Sequence, residues 1–345
     1  MQGGVTSAFS DDIVIDLGTA NTLIHVVGRG VILNEPSAVA IQTRGSQREV
    51  LAVGERAKMM VGRTPESIDT IRPLRDGVIA DFVATEEMLR QFIRRAKSML
   101  GFRRPRILIC VPAAATPVER RAVYETAVTA GARRIYLIEE PVAAAIGAGL
   151  PIDEPFGSMA VDIGGGTTDI AVLSLGGVVQ SRSLRCAGNA MDDAIIRYVR
   201  RKHQLLIGEA NAEKIKIEAG SALGQVNGRA TEIHIRGRDM RQGRPKSIVL
   251  GPQDIAEALS SCIEDIAEFI QRSLEDLPPE VATDICDRGI YLTGGGALLE
   301  NLDKVLEQQV GVVFHVADDP LLSVVRGSSI ILEDLTKRKH LLIKV

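Results

Sequence analysis

The sequence predicts an α/β protein of two similar halves that share one ligand, and three observations predict it. Apolar strands and amphipathic helices alternate along all 345 residues. A pattern of apolar strand, acid, glycine turn and second strand occurs twice, as IVIDLGTANTLIHVV at 13–27 and MAVDIGGGTTDIAVL at 159–173. A third glycine run, TGGG at 293–296, follows another apolar strand.

The elements follow in order. Residues 12–42 read as a meander of strands. In TEEMLRQFIRRAKSML (85–100), Met88, Leu89, Phe92, Ile93 and Ala96 fall on one helical face, with Thr85 placed as N-cap. PRILICVPA (105–113) reads as a buried strand, and TPVERRAVYETAVTAG (116–131) as a helix that starts at Pro117 and ends at Gly131. RRIYLIEEPVAAAIGAGL (133–150) is strand, turn and helix. From Gly157 the theme repeats, interrupted by an Arg- and Lys-rich section with weaker strands such as TEIHIRG (231–237), expected to be an inserted subdomain.

Composition narrows the function classes. A formal net charge of -3 provides no global basic field, so nucleic acid is not an expected partner. The cysteines, at 110, 186, 262 and 286, form no CxxC pair and read as reduced thiols of a cytosolic protein. The histidines form no pair at metal-ligand spacing, which leaves carboxylates and phosphates to hold a cation. MQGGVTSAF has neither a basic nor an apolar leader region, and no stretch reaches the roughly 20 apolar residues of a membrane span. The expectation is a soluble, cytoplasmic protein.

The alternation of Met159, Val161 and Ile163, then Ile170, Val172 and Leu173, makes Gly164 to Gly166 a hairpin between two strands. A Walker-type loop would run into a helix and end on lysine; this one does neither. Bare glycine N–H groups can point at an anion, and Thr167 and Thr168 add hydroxyl donors. The chemistry expected is a phosphate-binding hairpin, with Asp162 approaching a hydrated divalent cation rather than a phosphate it would repel. An ordinary glycine-rich hairpin with a turn-capping Asp is the other reading. In the repeat, Asp16 aligns with Asp162, Gly18 with Gly164 and Thr22 with Thr168. Two such hairpins face to face can clamp a polyphosphate. Gly294 to Gly296 instead turn from strand to helix, with Leu298, Leu299, Leu302, Val305 and Leu306 as its apolar face, where a flat ring or phosphate can meet bare backbone. In LIEEPVAAAIGAGL, Pro141 suits the first helical position, which holds the Glu140 carboxylate at a strand-to-helix junction. There it can orient or deprotonate an attacking water. It can equally do no more than offset the helix dipole.

DLGTANT (16–22), EEPVAAAIGAGL (139–150), DIGGGTTD (162–169) and TGGGALL (293–299), in this order, closely resemble the actin and DnaK-type ATPase superfamily and, within it, the MreB family of bacterial actins. PLRDGVIADF (73–82) matches as well, and the resemblance runs over about residues 11–335. It implies an actin-like ATPase fold of two RNase-H-like lobes with inserted subdomains around a central nucleotide cleft. The divisions implied are 11–33, 66–149 and 313–335 for the first lobe, 34–65 for its small subdomain, 150–184 and 246–312 for the second lobe, 185–245 for its small subdomain, and 336–345 as a tail. The resemblance places ATP and Mg²⁺ in the cleft, with Thr19, Ala20 and Asn21 on one phosphate hairpin and Gly164, Gly165, Gly166 and Thr167 on the other. Asp16 and Asp162 would hold Mg²⁺ through water, Glu140 would be the hydrolytic acid, and Thr167 would help position the water. Glu213 and Lys216 would meet ribose and adenine, with Gly294, Gly295 and Gly296 bordering the base.

The same resemblance implies paired protofilaments of the protein itself on inner-membrane lipids. They would organise peptidoglycan synthesis and rod shape with a cell-wall elongation machinery of RodZ, MreC and MreD type. Residues 90–106 carry seven cationic side chains and no acid, and Met99, Leu100 and Phe102 sit among them. Exposed apolar residues ringed by cations suit an anionic lipid surface at the inner face of the cytoplasmic membrane. The alternative is a solvated basic helix end with Leu100 in the core.

Three departures from the family pattern stand at Ala114, at Asn189, where an acid is common, and at Ser328-Ser329-Ile330, which allows a different connection by the last helix. They keep open a divergent, non-polymerising actin-fold ATPase regulator. A DnaK-type chaperone would need a peptide-binding domain beyond the ATPase, and no sugar-pocket motif supports a sugar kinase.

Overall fold

The computed structural model describes residues 12–44, 47–100, 105–224 and 232–344. The N-terminal half contains β1 (Ile13–Leu17), β2 (Asn21–Val26), β3 (Gly30–Pro36), β4 (Val39–Arg44), β5 (Gln47–Val53), α1 (Glu55–Lys58), β6 (Ile68–Ile71), β7 (Leu74–Arg75), β8 (Val78–Ile79), α2 (Phe82–Leu100), β9 (Arg106–Val111), α3 (Pro117–Thr129), β10 (Arg134–Glu139) and α4 (Glu140–Gly147). The C-terminal half follows with β11 (Ser158–Ile163), β12 (Thr168–Ser174), β13 (Gly177–Leu184), α5 (Gly188–His203), β14 (Leu205–Leu206), α6 (Glu209–Ala219), β15 (Ile233–Asp239), β16 (Pro245–Leu250), α7 (Pro252–Glu275), α8 (Pro279–Arg288), β17 (Ile290–Thr293), α9 (Leu302–Val310), β18 (Phe314–Val316) and α10 (Ser323–Glu333).

Two five-stranded mixed sheets carry the halves, in the orders β10-β9-β1-β2-β3 and β13-β12-β11-β17-β18. Each is a three-stranded antiparallel meander, β1-β2-β3 or β11-β12-β13, extended beside its first strand by two parallel strands, so the repeat in the sequence is a repeat in topology. Successive side chains of a strand point to opposite faces, and the cores divide accordingly. Ile13, Ile15, Ile107 and Ile109 pack with Met88 and Phe92 of α2 and Val123 of α3. Met159, Val161, Ile170 and Val172 pack with Ile195 of α5, Ile263 of α7 and Leu306 of α9. The intervening residues, Val14 and Leu108 on one sheet and Ala160 and Ala171 on the other, meet α4 and α10 in a shared central layer.

That layer is thin because its helices touch by backbone. A Cβ on Gly147 of α4 would run into the Ser323 carbonyl, and one on Gly327 of α10 into the Ala143 carbonyl. The alanines of α4 and these two glycines let the helices approach where larger side chains would hold the sheets apart. The departure at Ser328-Ser329 is absorbed in the docking of α10 onto the N-terminal half. Ser328 Oγ lies 3.0 Å from Cys110 Sγ, and Ser329 Oγ 2.9 Å from His25 Nδ1.

Several local expectations shift. The long helix starts at Phe82, and its cap is Asp81, whose Oδ1 accepts from the Ala84 N–H at 2.9 Å; Thr85 instead donates to the Asp81 carbonyl at 2.8 Å. A charged carboxylate one turn earlier is the stronger acceptor. After β17 the glycines form a short 3-10 turn, Gly295–Leu298, and α9 begins only at Leu302, because Asn301 takes a left-handed conformation with φ 61°. β6 pairs with β4 in a small three-stranded sheet, β16 pairs with β15 in another, and β18 extends the second large sheet beside β17.

Candidate active site

Both glycine hairpins open toward each other between the two sheets. A Cβ on Gly165 would lie 2.5 Å from the Ala20 Cβ, and one on Gly166 2.7 Å from Thr19 Oγ1, so one turn meets the other through bare backbone. Each turn is held from behind. Ser37 donates its hydroxyl to the Gly18 carbonyl at 2.6 Å and its N–H to the Ala20 carbonyl at 2.9 Å. Across the cleft, the N–H groups of Gly188 and Asn189 donate to the Gly164 and Gly165 carbonyls at 3.1 and 2.7 Å. The carbonyls of this hairpin are thereby turned outward, onto the start of α5.

A third turn meets them, one that the sequence reading passed over. Asp76 and Gly77 have φ 48° and 73° between β7 and β8, the conformation that an Asp-Gly hairpin turn adopts. The Gly77 N–H donates to Thr19 Oγ1 at 3.4 Å, and a Cβ on Gly77 would lie 2.7 Å from Thr167 Cγ2. The available signal was the dipeptide itself, in PLRDGVIADF.

Four acids gather beneath the turns. Burial pushes the Asp16 carboxyl up to about 7, with the Asp162 charge adding to it. Burial likewise raises Asp162 to about 6, opposed by a 2.7 Å hydrogen bond from Thr293 Oγ1 and reinforced by Asp169. Glu140 is held well above the usual carboxylate range by burial and then by the charges of Asp16, Asp169 and Asp162. Its Oε1 is buried with no hydrogen-bond partner among the described residues. Glu139, by contrast, accepts from Ser181 at 2.7 Å and Arg120 at 3.4 Å. Asp169 was absent from the sequence-based candidates; it is the strand partner of Asp162 in β11 and β12, and burial raises it too. Among the described residues no three His, Cys, Asp or Glu side chains converge as direct metal ligands. Paired buried carboxylates with raised proton affinity suit a cation that keeps its water shell.

Glu213 and Lys216 lie on α6, as expected, but point to different partners. Glu213 accepts from Lys58 Nζ at 2.8 Å, while Lys216 Nζ contacts Asp192 Oδ1 and donates to the Gly188 carbonyl, both at 2.8 Å. Gly294, with φ 78°, and Gly296 are required where their turn packs on Ile163; Gly295 faces Leu321. Asn21 opens β2 and is exposed. At the basic helix end Met99 is 58% exposed, whereas the Leu100 side chain and Phe102 lie outside the described residues. Arg95 pairs with Glu35 at 2.7 Å, Arg106 with Asp12 and Arg90 with Glu87, and Lys97 donates to the Ala130 carbonyl at 3.1 Å. Much of that positive charge is therefore engaged internally. No helix among the described residues is long and apolar enough to cross a membrane.

Residues 10–340 match the MreB/Mbl protein family. The chain belongs to the MreB/Mbl family. It is 55% identical over 328 residues to the cell shape-determining protein MreB of Escherichia coli strain K12, covering 94% of each chain. With the cell shape-determining protein Mbl of Bacillus subtilis strain 168 it shares 49% over 329 residues, covering 95% of this chain and 98% of that one. The crystal structure of MreB5 of Spiroplasma citri bound to AMPPNP superimposes with a TM-score of 0.87 at 38% identity, over 95% of this chain and 97% of the other. The fold of this MreB/Mbl member is therefore actin-like. A MamK double helical filament subunit, at 22% identity and a TM-score of 0.76, shares that fold.

Proposed function

We propose that this MreB/Mbl-family protein binds and hydrolyses ATP with Mg²⁺ between its two sheets, and forms filaments of itself that help to set rod cell shape. The observation that carries the reading is Glu140: a buried acid with an oxygen unpartnered among the described residues, beside Asp16 and Asp162 and beneath two facing glycine hairpins. The relatives named cell shape-determining, and the MreB5 structures bound to AMPPNP and ADP, support it.

In this reading the turns Thr19–Asn21 and Gly164–Thr167 receive the phosphates, the second through the N–H groups that follow Gly164, whose own N–H closes the turn on the Thr167 carbonyl at 2.9 Å. Asp16 and Asp162 hold hydrated Mg²⁺, with Thr293 fixing the rotamer of Asp162. The cation supplies charge neutralisation for the phosphates. Glu140 then orients the water that attacks the γ-phosphorus and takes up its proton, with Thr167 as the second positioning group. Glu213 meets the ribose, Lys216 the adenine, and Gly294 to Gly296 border the base. Paired protofilaments would lie on anionic inner-membrane lipid through Met99, Leu100 and Phe102, in the company of the cell-wall elongation machinery.

The test is co-sedimentation of purified protein with Mg-ATP and anionic liposomes, with negative-stain imaging and phosphate release on the same samples. Membrane-bound filaments that persist in Glu140→Ala without phosphate release are expected. A monomer that still hydrolyses ATP would leave a non-polymerising switch and remove the cytoskeletal reading.

A further inference from the structure

We infer that Arg72 and Lys58 are positioning residues: together they latch the N-terminal half across the mouth of the cleft and set the rate at which nucleotide leaves. The inference rests on the ATP-binding reading and goes beyond it.

Three polar contacts bridge the halves on this side. Lys58, the last residue of α1, reaches Glu213 on α6 at 2.8 Å. Arg72, just past β6, forks between two acceptors of the C-terminal half, Asn189 Oδ1 at 2.9 Å and Glu209 Oε2 at 3.1 Å. Asn189 also donates its own N–H to the Gly165 carbonyl at 2.7 Å. One guanidinium is thus linked, through one residue, to the backbone of the second phosphate hairpin. Four residues further along the same strand-like segment, the backbone N–H of Asp76 would stand 2.9 Å from a Cβ placed on Gly166. The segment from Arg72 to Gly77 therefore crosses the cleft as a strap, tied at one end by charge and at the other by close contact.

A nucleotide held by both hairpins is held by both halves, so its release goes with their parting. Parting must break the Lys58 and Arg72 contacts. Glu213 adds a second link, because the carboxylate expected to meet the ribose is the one that Lys58 engages. Asn189 gives Arg72 a neutral acceptor in place of a second charge. The latch of this chain is accordingly weaker than an Arg72 fork between two carboxylates would be.

The experiment is stopped-flow dissociation of a fluorescent ADP analogue, with Mg²⁺ present, from wild type, Arg72→Ala, Lys58→Ala, the double variant, Arg72→Lys and Asn189→Asp, each at low and high salt. Each alanine variant is expected to release nucleotide roughly 2- to 5-fold faster, the range that partly exposed ion pairs support. Arg72→Lys should restore part of the retention, and Asn189→Asp should slow release. Wild-type release should quicken with salt while the double variant loses that dependence, a signature that a merely structural role would not produce. Thermal melts of the same proteins report folding. Release rates unchanged in both alanine variants, with nucleotide still bound, overturn the latch alone. Failure of the folded wild type to bind the analogue overturns the latch and the ATP reading together.

Discussion

Asp162 and Asp169 stand directly opposite each other across the β11–β12 hairpin, two buried carboxyls on one face of a ribbon beside its glycine turn. Like charges paired across strands destabilise a sheet, and such a violation is expected where function uses it. Asp162→Asn should therefore stabilise the nucleotide-free protein by about 1 kcal/mol while abolishing Mg²⁺-dependent nucleotide retention. Urea unfolding and nucleotide-binding titrations read the two effects. A variant less stable than wild type would contradict the electrostatic account.

The same cluster predicts a pH dependence. Asp16 at about 7 and Asp162 at about 6 both lie above the ordinary carboxylate value of 3.8. The folded protein then holds protons that the unfolded chain has released. Nucleotide-free stability is greatest below the unfolded value and declines as pH rises through about 6 to 7. Melting temperatures should fall between about pH 5 and about pH 8. Saturating Mg-ADP should flatten or reverse that slope, because the ionised carboxylates then face a cation.

Glu140 and the neighbouring Glu139 should separate cleanly. Glu140→Ala is expected to lower ATP turnover about 100-fold, with nucleotide affinity changed little. Glu139→Gln, which loosens contacts to Ser181 and Arg120 and removes no water-facing acid, should cost far less turnover. Single-turnover phosphate release with equilibrium binding distinguishes them, and equal losses would remove Glu140 from its assigned role.

The central layer makes a purely structural prediction. Gly327→Val drives a side chain into the Ala143 carbonyl and should destabilise by about 3 kcal/mol. Ser328→Ala, which loses the contact to Cys110, should destabilise by about 1 kcal/mol. Denaturant midpoints measured side by side test the ranking.

At the basic helix end, a combined Met99→Ser, Leu100→Ser and Phe102→Ser variant should keep its ATP turnover and lose flotation with phosphatidylglycerol vesicles. Undiminished flotation would assign any lipid binding to another surface.

Local chemistry was enough for the sequence to determine a good deal by itself. The alternation of Met159 to Leu173 specified two strands, Pro117 and Gly131 bracketed a helix closely, and the duplicated acid-glycine pattern announced two equivalent halves. Periodicity and backbone preference act between residues a few positions apart, and such signals survive in a single chain. Tertiary structure decided the rest. Asp81 displaced Thr85 as a cap by offering a charged acceptor, and Asn301 delayed α9 by turning left-handed. The Asp76-Gly77 turn reached Thr19 and Thr167, Glu139 found Ser181 while Glu140 Oε1 found no partner among the described residues, and Lys58 met Glu213 from 155 positions away. Whether a buried carboxylate is paired or left open to react depends on groups brought near by the packing of two sheets around α4 and α10. No local pattern carries that information, because its physical origin is burial and distance in three dimensions.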